Sequence, residues 1–473
     1  MKKFLSVILA VFLVMSLLAC STSDEGKGNK KPGEDNRYRV GYAREDITPN
    51  YPVGLSGYGN TSERISKTVL DKIYLTCVAI TDSKDNTIML VTIDLGAVPE
   101  SSANTIRGKI SKETGVPKEN ITVSATHSHS VPDFGAIGND ILKAAKEAAV
   151  AAMEDRTCAD MYYGQTMTKG LNFVRSYEME NGTIAGASFG SFSGPIKKHV
   201  SDADEQMQLV QFKRDNDKPD VILVNWQAHN HLTGGSEVYD LSADWVGTFR
   251  MNMENDLNCL FAYYQGAAGN LNPYSMITEE NAVQPEPRNH IQHGKLLAGH
   301  AKEALGNMTP VEPAEIQIRT EKFEGECLHE GTELLLYASD VVAYYDLGHS
   351  ISETKAYAEQ FGIHSYYHAK AISGRSGNGA TKEIPITTIT MGNIGFATIP
   401  GELFDVCGQY IKEKSPMDMT FVMGYCNGAV GYLPSEYAFS YGSYEVDITA
   451  FVMGTAEAVA KRHVEILTEM SAK

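Results

Sequence analysis

Positive charge is in short supply in this chain of 473 residues: 41 lysines and arginines stand against 59 aspartates and glutamates, a net charge of -18. A polyanion such as nucleic acid would meet repulsion rather than a basic footprint, so nucleic-acid binding is set aside. Cysteine is sparse and scattered. Beyond Cys20, the sulfurs fall at Cys77, Cys158, Cys259, Cys327, Cys407 and Cys426 with no C-x-x-C spacing, which speaks against a zinc knuckle and against a dense disulfide framework. Short catalytic signatures are missing as well. There is no H-E-x-x-H and no G-x-x-x-x-G-K-[ST], so metalloprotease and phosphate-loop chemistry lack support. The run GAAGNLNP (266–273) is glycine-rich, but no lysine follows it, and it reads as a tight turn near a site.

What is present begins with MKKFLSVILAVFLVMSLLAC: two lysines, an apolar run of signal-peptide length, and small residues before Cys20. The run is too short for a stable membrane span. Leu17-Leu18-Ala19-Cys20 resembles a bacterial lipobox, so residues 1–19 are expected to be a lipoprotein signal peptide and Cys20 the lipidated residue. Residues 20–37 hold almost no apolar side chains and are expected to form a flexible tether. The remainder, 38–473, is expected to be one large domain held outside the cytoplasm on a bacterial membrane. With 42% hydrophobic and 21% charged residues overall, a large core is affordable.

Strand-like runs such as VLDKIYLTCVAIT, TIMLVTIDLG, NITVSATHS, VILVNWQAH, CLFAYYQGA, ITTITMGNIGFATI and MTFVMGYC alternate with helical patterns such as ANTIRGKISKETG, DILKAAKEAAVAAMED, HIQHGKLLAGHAKEALG and GELFDVCGQYIKEK. This order predicts an α/β fold, or a layered α+β one, with mixed sheets and flanking helices. Residues 274–295 and 322–380 read as loops or a lid.

Polar side chains gather where the strands end. His127 and His129 lie two apart after ITV, and residues at i and i+2 of an extended segment share a face. The pair is either a zinc signal or two hydrogen-bonded histidines at a strand end. His229-Asn230-His231 repeats the pattern after VILVNWQA, and two such pairs favour a metal site. Asp94, closing LVTIDLG, serves either as a ligand or orienting acid, or as a cap for the following loop.

Seven stretches in order resemble the neutral (non-lysosomal) ceramidases and their bacterial relatives: EDITPNYPVGLSGYG (45–59), VTIDLG, SATHSHSVP, NWQAHNH with LSADWVG, GAAGNLNP, ATIPGELF and GYLPSEYAFSYGSYE. The resemblance implies one Zn2+ held by His127, His229, Glu402 and Tyr432. It further implies that Tyr444, twelve residues after Tyr432, faces the substrate carbonyl and that His129 lines the pocket. From the residues alone, Glu402 reads as an acid in the first turn of a helix. Asn272 stands where ceramidases carry a serine, so a serine acyl-enzyme is not expected; Asn172 and Arg175 in LNFVRSY are a loose counterpart of the family's basic residue near an N-R-S motif, which makes Arg175 an oxyanion or substrate contact, or else a surface salt bridge, and Asn272 and Asn172 are expected to contact the substrate. Asp94 and Asp244 are expected to orient ligands from behind. Ceramidases continue into a C-terminal β-sandwich, which is not expected here. The implied function is a zinc-dependent hydrolase that cleaves an amide (N-acyl) bond of a lipid or smaller substrate with a zinc-activated water. Two alternatives stand beside it: a binuclear amidohydrolase-like site using both H-x-H pairs and Asp94, and a surface lipoprotein that binds lipid or glycan without turnover.

Overall fold

The computed structural model describes residues 35–58, 61, 63–186, 194–234, 237–277 and 289–472; Cys20 and the signal-like segment lie outside them. The largest sheet has nine strands. Eight form its main path: β1 (Tyr38–Asp46), β2 (Tyr74–Thr81), β3 (Thr87–Ile93), β4 (Ile121–Ala125), β5 (Thr157–Met167), β6 (Gln206–Arg214), β7 (Val221–Trp226) and β8 (Leu260–Gln265), in the order β8-β7-β6-β5-β1-β2-β3-β4. Neighbours are antiparallel in the middle, but the pairs at both edges are parallel: β4 beside β3 and β8 beside β7. A parallel pair needs a crossover. Helix α1 (Glu100–Thr114) supplies it between β3 and β4, and α3 (Asp244–Leu257) between β7 and β8.

Both faces of this sheet are apolar because both are covered. Along β2, Cys77 and Ala79 face one way, toward α1 and α2 (Phe134–Glu154). Val78 and Ile80 face the other, toward a second sheet. That is the two-residue alternation of a strand with no solvent side. Helices α3 and α4 (His290–Leu305) extend the helical layer over β6 to β8.

The second sheet has four strands: β9 (Gln317–Glu326), β10 (Thr381–Met391), β11 (Ile394–Thr398) and β12 (Met419–Met423). Phe396 and Phe421 meet the first sheet, while Ala397 and Val422 face the far side, where α8 (Asp405–Lys414) and α11 (Thr455–Ser471) cover them. The architecture is therefore helix, sheet, sheet, helix, a layered mixed α/β fold as the element order implies.

Two local readings need correction. Strands β9 and β10 pair along their whole length, from Gln317 against Thr390 to Glu326 against Thr381, so 327–380 is an insert in a hairpin. It holds three helices rather than loops: α5 (Thr332–Asp346), α6 (Ile351–Ala358) and α7 (Tyr366–Arg375), packed on Ala338, Val341, Ala358, Ile363, Ala369 and Ile372. Glu402 is not in the first turn of α8, which starts at Asp405. It forms a two-residue parallel ladder with the segment before the short helices α9 (Glu436–Tyr441) and α10 (Tyr444–Ile448). Among the described residues, no helix is long and apolar enough to cross a membrane.

Candidate active site

Strands β4 and β7 run into the same place. Beyond their ends, Ser128 and Asn230 form a parallel bridge, and the His129 N–H donates to the Asn230 carbonyl at 3.0 Å. That pairing sets the two H-x-H segments side by side. The ring centroids of His127 and His229 are 4.8 Å apart, and His129 lies 5.6 Å from His229 and 5.3 Å from His231. His127 adopts a left-handed φ of 62°, sparsely populated for a side chain with a Cβ and common at functional sites. Gly57, at φ 106°, closes over His129 so tightly that a Cβ would lie 2.4 Å from that ring.

Hydrogen bonds fix which nitrogen of each ring is bare. His127 Nδ1 donates to the Gly96 carbonyl at 2.6 Å, and His229 Nδ1 to the Leu271 carbonyl at 3.0 Å. Carbonyls only accept, so Nε2 carries the lone pair in both rings. Burial pushes the His127 pKa down to about 3 and holds His229 and His129 well below the ordinary range. These are neutral imidazoles, the protonation state a metal requires.

The second sheet brings the carboxylate. Glu402 Oε2 lies 3.8 Å from His127 Nε2 and 3.5 Å from His229 Nε2. Ligands about 2.0–2.1 Å from a tetrahedral zinc are about 3.4 Å apart, so this spacing leaves room for an ion between the three atoms. Burial raises the Glu402 carboxyl to about 7, opposed by Arg175 and by hydrogen bonds from Tyr432 and Tyr425; a bound cation would hold it ionised. Glu402 and Tyr432 are register partners, which places the phenol beside the carboxylate. His129 Nε2 lies 3.2 Å from His127 Nε2, while the buried His129 Nδ1 has no hydrogen-bond partner among the described residues. The donor set, neutral imidazoles with a carboxylate and a phenol, fits a zinc ion, and Arg175 Nη1, donating to His229 Nε2 at 3.2 Å, occupies the lone pair that an ion would take. His127, His129 and His229 also group as a possible metal-holding set, their ligand atoms within 4.8 Å of one another.

Arg175 ties this cluster together. Its Nε donates to Glu445 Oε1 at 2.6 Å, and its Nη2 to the Gly269 carbonyl and the Tyr432 hydroxyl, both at 3.0 Å. Burial works against its charge, but Glu445 and Tyr432 outweigh it and raise its pKa. These donors commit Arg175 to His229, Gly269, Tyr432 and Glu445. Gly269 must be glycine, since a Cβ there would sit 2.4 Å from the Glu402 carbonyl oxygen. Tyr444, on α10, stands edge-on to Tyr432 with centroids 5.9 Å apart. Asn272 Oδ1 accepts from His231 Nε2 at 3.1 Å.

Three expected residues have other duties. Asp94 accepts from Arg250 Nη2 at 2.7 Å and from the Tyr74 N–H at 2.9 Å. It braces the Leu95–Gly96 turn that holds His127, and its pairing removes the carboxylate a binuclear site would need. Asp244 accepts from the N–H groups of Thr233 and Trp245 and shapes the loop after His231. The buried Asn172 amide nitrogen donates to the Asp204 and Gln227 carbonyls, both at 2.7 Å.

Three residues with no motif signal of their own complete the pocket. Tyr425 stacks on His127 at 4.0 Å and its hydroxyl donates to Glu402 at 3.2 Å. Tyr58 lies edge-on to His129 at 5.2 Å, and Glu445 is the buried partner of Arg175. Their signal, if any, is position: Tyr425 follows an apolar strand between glycines, and Tyr58 and Glu445 sit inside motifs already singled out.

Comparison with known proteins shows the family and the fold. The family model for neutral/alkaline non-lysosomal ceramidase, N-terminal, matches residues 38–327, well over half of the chain. The chain belongs to that family and thereby to a family of hydrolases. Among solved structures, the neutral ceramidase from Pseudomonas aeruginosa superposes with a TM-score of 0.71 at 16% identity, covering 93% of this chain and 75% of that one. A ceramidase complexed with C2 gives 0.70 at 16% identity, covering 93% of this chain and 76% of that one. No curated protein matches the sequence.

Proposed function

We propose that the protein is a zinc-dependent amide hydrolase of ceramidase type that cleaves an N-acyl bond, with His127, His229, Glu402 and Tyr432 holding one ion. The observation that carries this reading is the convergence of both imidazoles on Glu402, whose Oε2 lies 3.8 Å from His127 Nε2 and 3.5 Å from His229 Nε2. A zinc ion bound there supplies a Lewis acid that makes water nucleophilic near neutral pH. The chain's own residues do the rest. The Gly96 and Leu271 carbonyls keep both imidazoles in the ligating tautomer. Arg175, locked by Glu445, favours the ionised Glu402 and orients the Tyr432 hydroxyl. His129 carries a proton between water and leaving nitrogen, its Nδ1 having no partner among the described residues. Tyr444 donates to the carbonyl oxygen as it gains negative charge. Asn272 is an amide held by His231, so it positions the pocket wall and forms no acyl-enzyme.

The substrate follows from the family and from the solved ceramidase complexed with C2: an N-acyl lipid, or a smaller N-acyl amide. Lipid attachment at Cys20 would tether the enzyme to a bacterial membrane outside the cytoplasm; palmitate labelling lost in Cys20→Ser would support this, and retained labelling would sink it. The test of the catalytic reading is a panel from ceramide to short N-acyl amides, assayed with and without chelator. Cleavage should need metal, and His127→Ala and Glu402→Ala should each lose both zinc and cleavage. Two variants that keep both would leave only a binding protein.

A further inference from the structure

The helical insert meets the rest of the molecule at a second convergence of ligand-type side chains. His364 precedes α7, His368 lies in its first turn, and Asp447 belongs to α10. His364 Nδ1 lies 3.0 and 2.9 Å from the two Asp447 oxygens, and His368 Nδ1 lies 3.8 Å from Asp447 Oδ1. One ligand atom from each of the three lies within 4.8 Å of the others. The observed spacing brackets the edge of about 3.4 Å expected between ligands of a tetrahedral zinc.

The geometry is imposed from outside the cluster. Ser365 caps α7 by accepting from the His368 N–H at 3.1 Å, which fixes the turn that carries both histidines. Arg375, at the far end of α7, donates to the Asp447 carbonyl at 2.6 Å and to the Thr449 carbonyl at 2.8 Å, and pairs with Glu330. Helix α7 and α10 are therefore held in register whether or not anything lies between the side chains. The His364 N–H donates to His368 Nδ1 at 3.2 Å, so the bare nitrogen of that ring is the one turned toward Asp447. The side chains of His368 and Asp447 are each 14% exposed and that of His364 is 65% exposed, which leaves one open side for an ion and its waters.

We propose that His364, His368 and Asp447 form a second metal site, for a divalent transition metal of the zinc class, with water completing the coordination. Two imidazoles and one carboxylate suit zinc, nickel or copper and are poor partners for magnesium or calcium. The ion takes the place now held by a shared proton between His364 and Asp447 and displaces the His364 N–H from His368 Nδ1. Its position gives it a reach into the active site. Asp447 shares α10 with Tyr444 and with Glu445, the partner of Arg175, and Tyr367 of α7 stands edge-on to Tyr444 at 6.4 Å. An ion here pins the segment bearing Tyr444 to the insert.

The test is zinc stoichiometry of the full chain by equilibrium dialysis against buffered free zinc, followed by elemental analysis. The expected count is two ions for the wild type, one for His364→Ala/His368→Ala, one for His127→Ala and none for all three changes together. A double variant that binds as many ions as the wild type overturns the proposal. A single wild-type ion that is lost only with His127→Ala also overturns it and leaves the catalytic reading intact. A single ion lost only with His364→Ala/His368→Ala does the reverse. Should the double variant not fold, His364→Ala changes an exposed side chain and should weaken the second ion at least ten-fold; an unchanged titration would count against the site.

Discussion

His127 and Tyr425 are non-glycine residues at positive φ, 62° and 53°, and their rings stack on each other. Such backbone costs about 1–3 kcal/mol per residue and persists only where the surroundings impose it. Here they do: the His127 N–H donates to the Leu95 carbonyl and its ring to that of Gly96. The same logic applies to Arg175, whose charge is buried and offset by Glu445. Glu445→Gln keeps the shape but leaves that charge uncompensated, so it should destabilise the fold by about 3–5 kcal/mol. It should also weaken zinc binding by roughly 10–100-fold through loss of the orienting contact. Chemical denaturation and metal titration of the variant check the two effects separately; a stability within error of the wild type would mean the guanidinium finds another counter-charge.

Elements, rather than single residues, decide which side chains meet. The strand ends after β4 and β7 were readable from the apolar runs ITV and VILV, but the Ser128–Asn230 bridge that makes them neighbours is a long-range pairing with no local signature. Glu402 shows the limit from the other side. GELFDVCGQYIKEK has continuous helical periodicity, and only the ladder with Tyr432–Leu433 holds its first residues extended. Strands β5 and β6 were not evident, since TCADMYYGQTM and QMQLVQFKR mix polar and apolar residues on faces that only the second sheet and the packed helices cover. The packing of α11 on the second sheet yields a pH prediction. His463 is buried, with Nδ1 accepting from the Thr388 hydroxyl at 2.9 Å and Nε2 donating to the Thr398 carbonyl at 3.1 Å. Burial lowers its pKa from 6.5 to about 4. Above 6.5 neither state is protonated and the group is neutral to stability. Between 6.5 and 4 only the unfolded chain takes up the proton, so stability falls with pH by up to about 1.4 kcal/mol per unit from this group. Urea midpoints across that range should show a shallower slope in His463→Gln, and parallel slopes would contradict the assignment.

At the scale of the molecule, the centre lies where two sheets and their connecting loops converge: two imidazoles come from the first sheet, and the carboxylate and phenol from the second and its neighbouring ladder. Metal binding should therefore stabilise the packing of one sheet on the other, not only a loop. At free zinc about a thousand times the dissociation constant, linkage gives about 4 kcal/mol. Chelation should lower the melting temperature, zinc should restore it, and His127→Ala should no longer respond. A wild-type melting curve unmoved by chelator at matched pH would argue that the cluster holds no ion.

The sequence by itself determined the class of fold, because alternating apolar strands and amphipathic helices specify which faces must be buried. It also determined the order of the motifs that mark the ceramidase family. Only the tertiary structure decided how the polar residues are used. Asp94 went to Arg250 and Asn172 to two carbonyls, while Tyr425, Tyr58 and Glu445 joined the pocket and His364, His368 and Asp447 gathered at the insert. The physical reason is that a side chain's partner is set by contacts between residues up to about three hundred positions apart in the chain, and local periodicity, which reports burial, carries no information about which buried groups face one another.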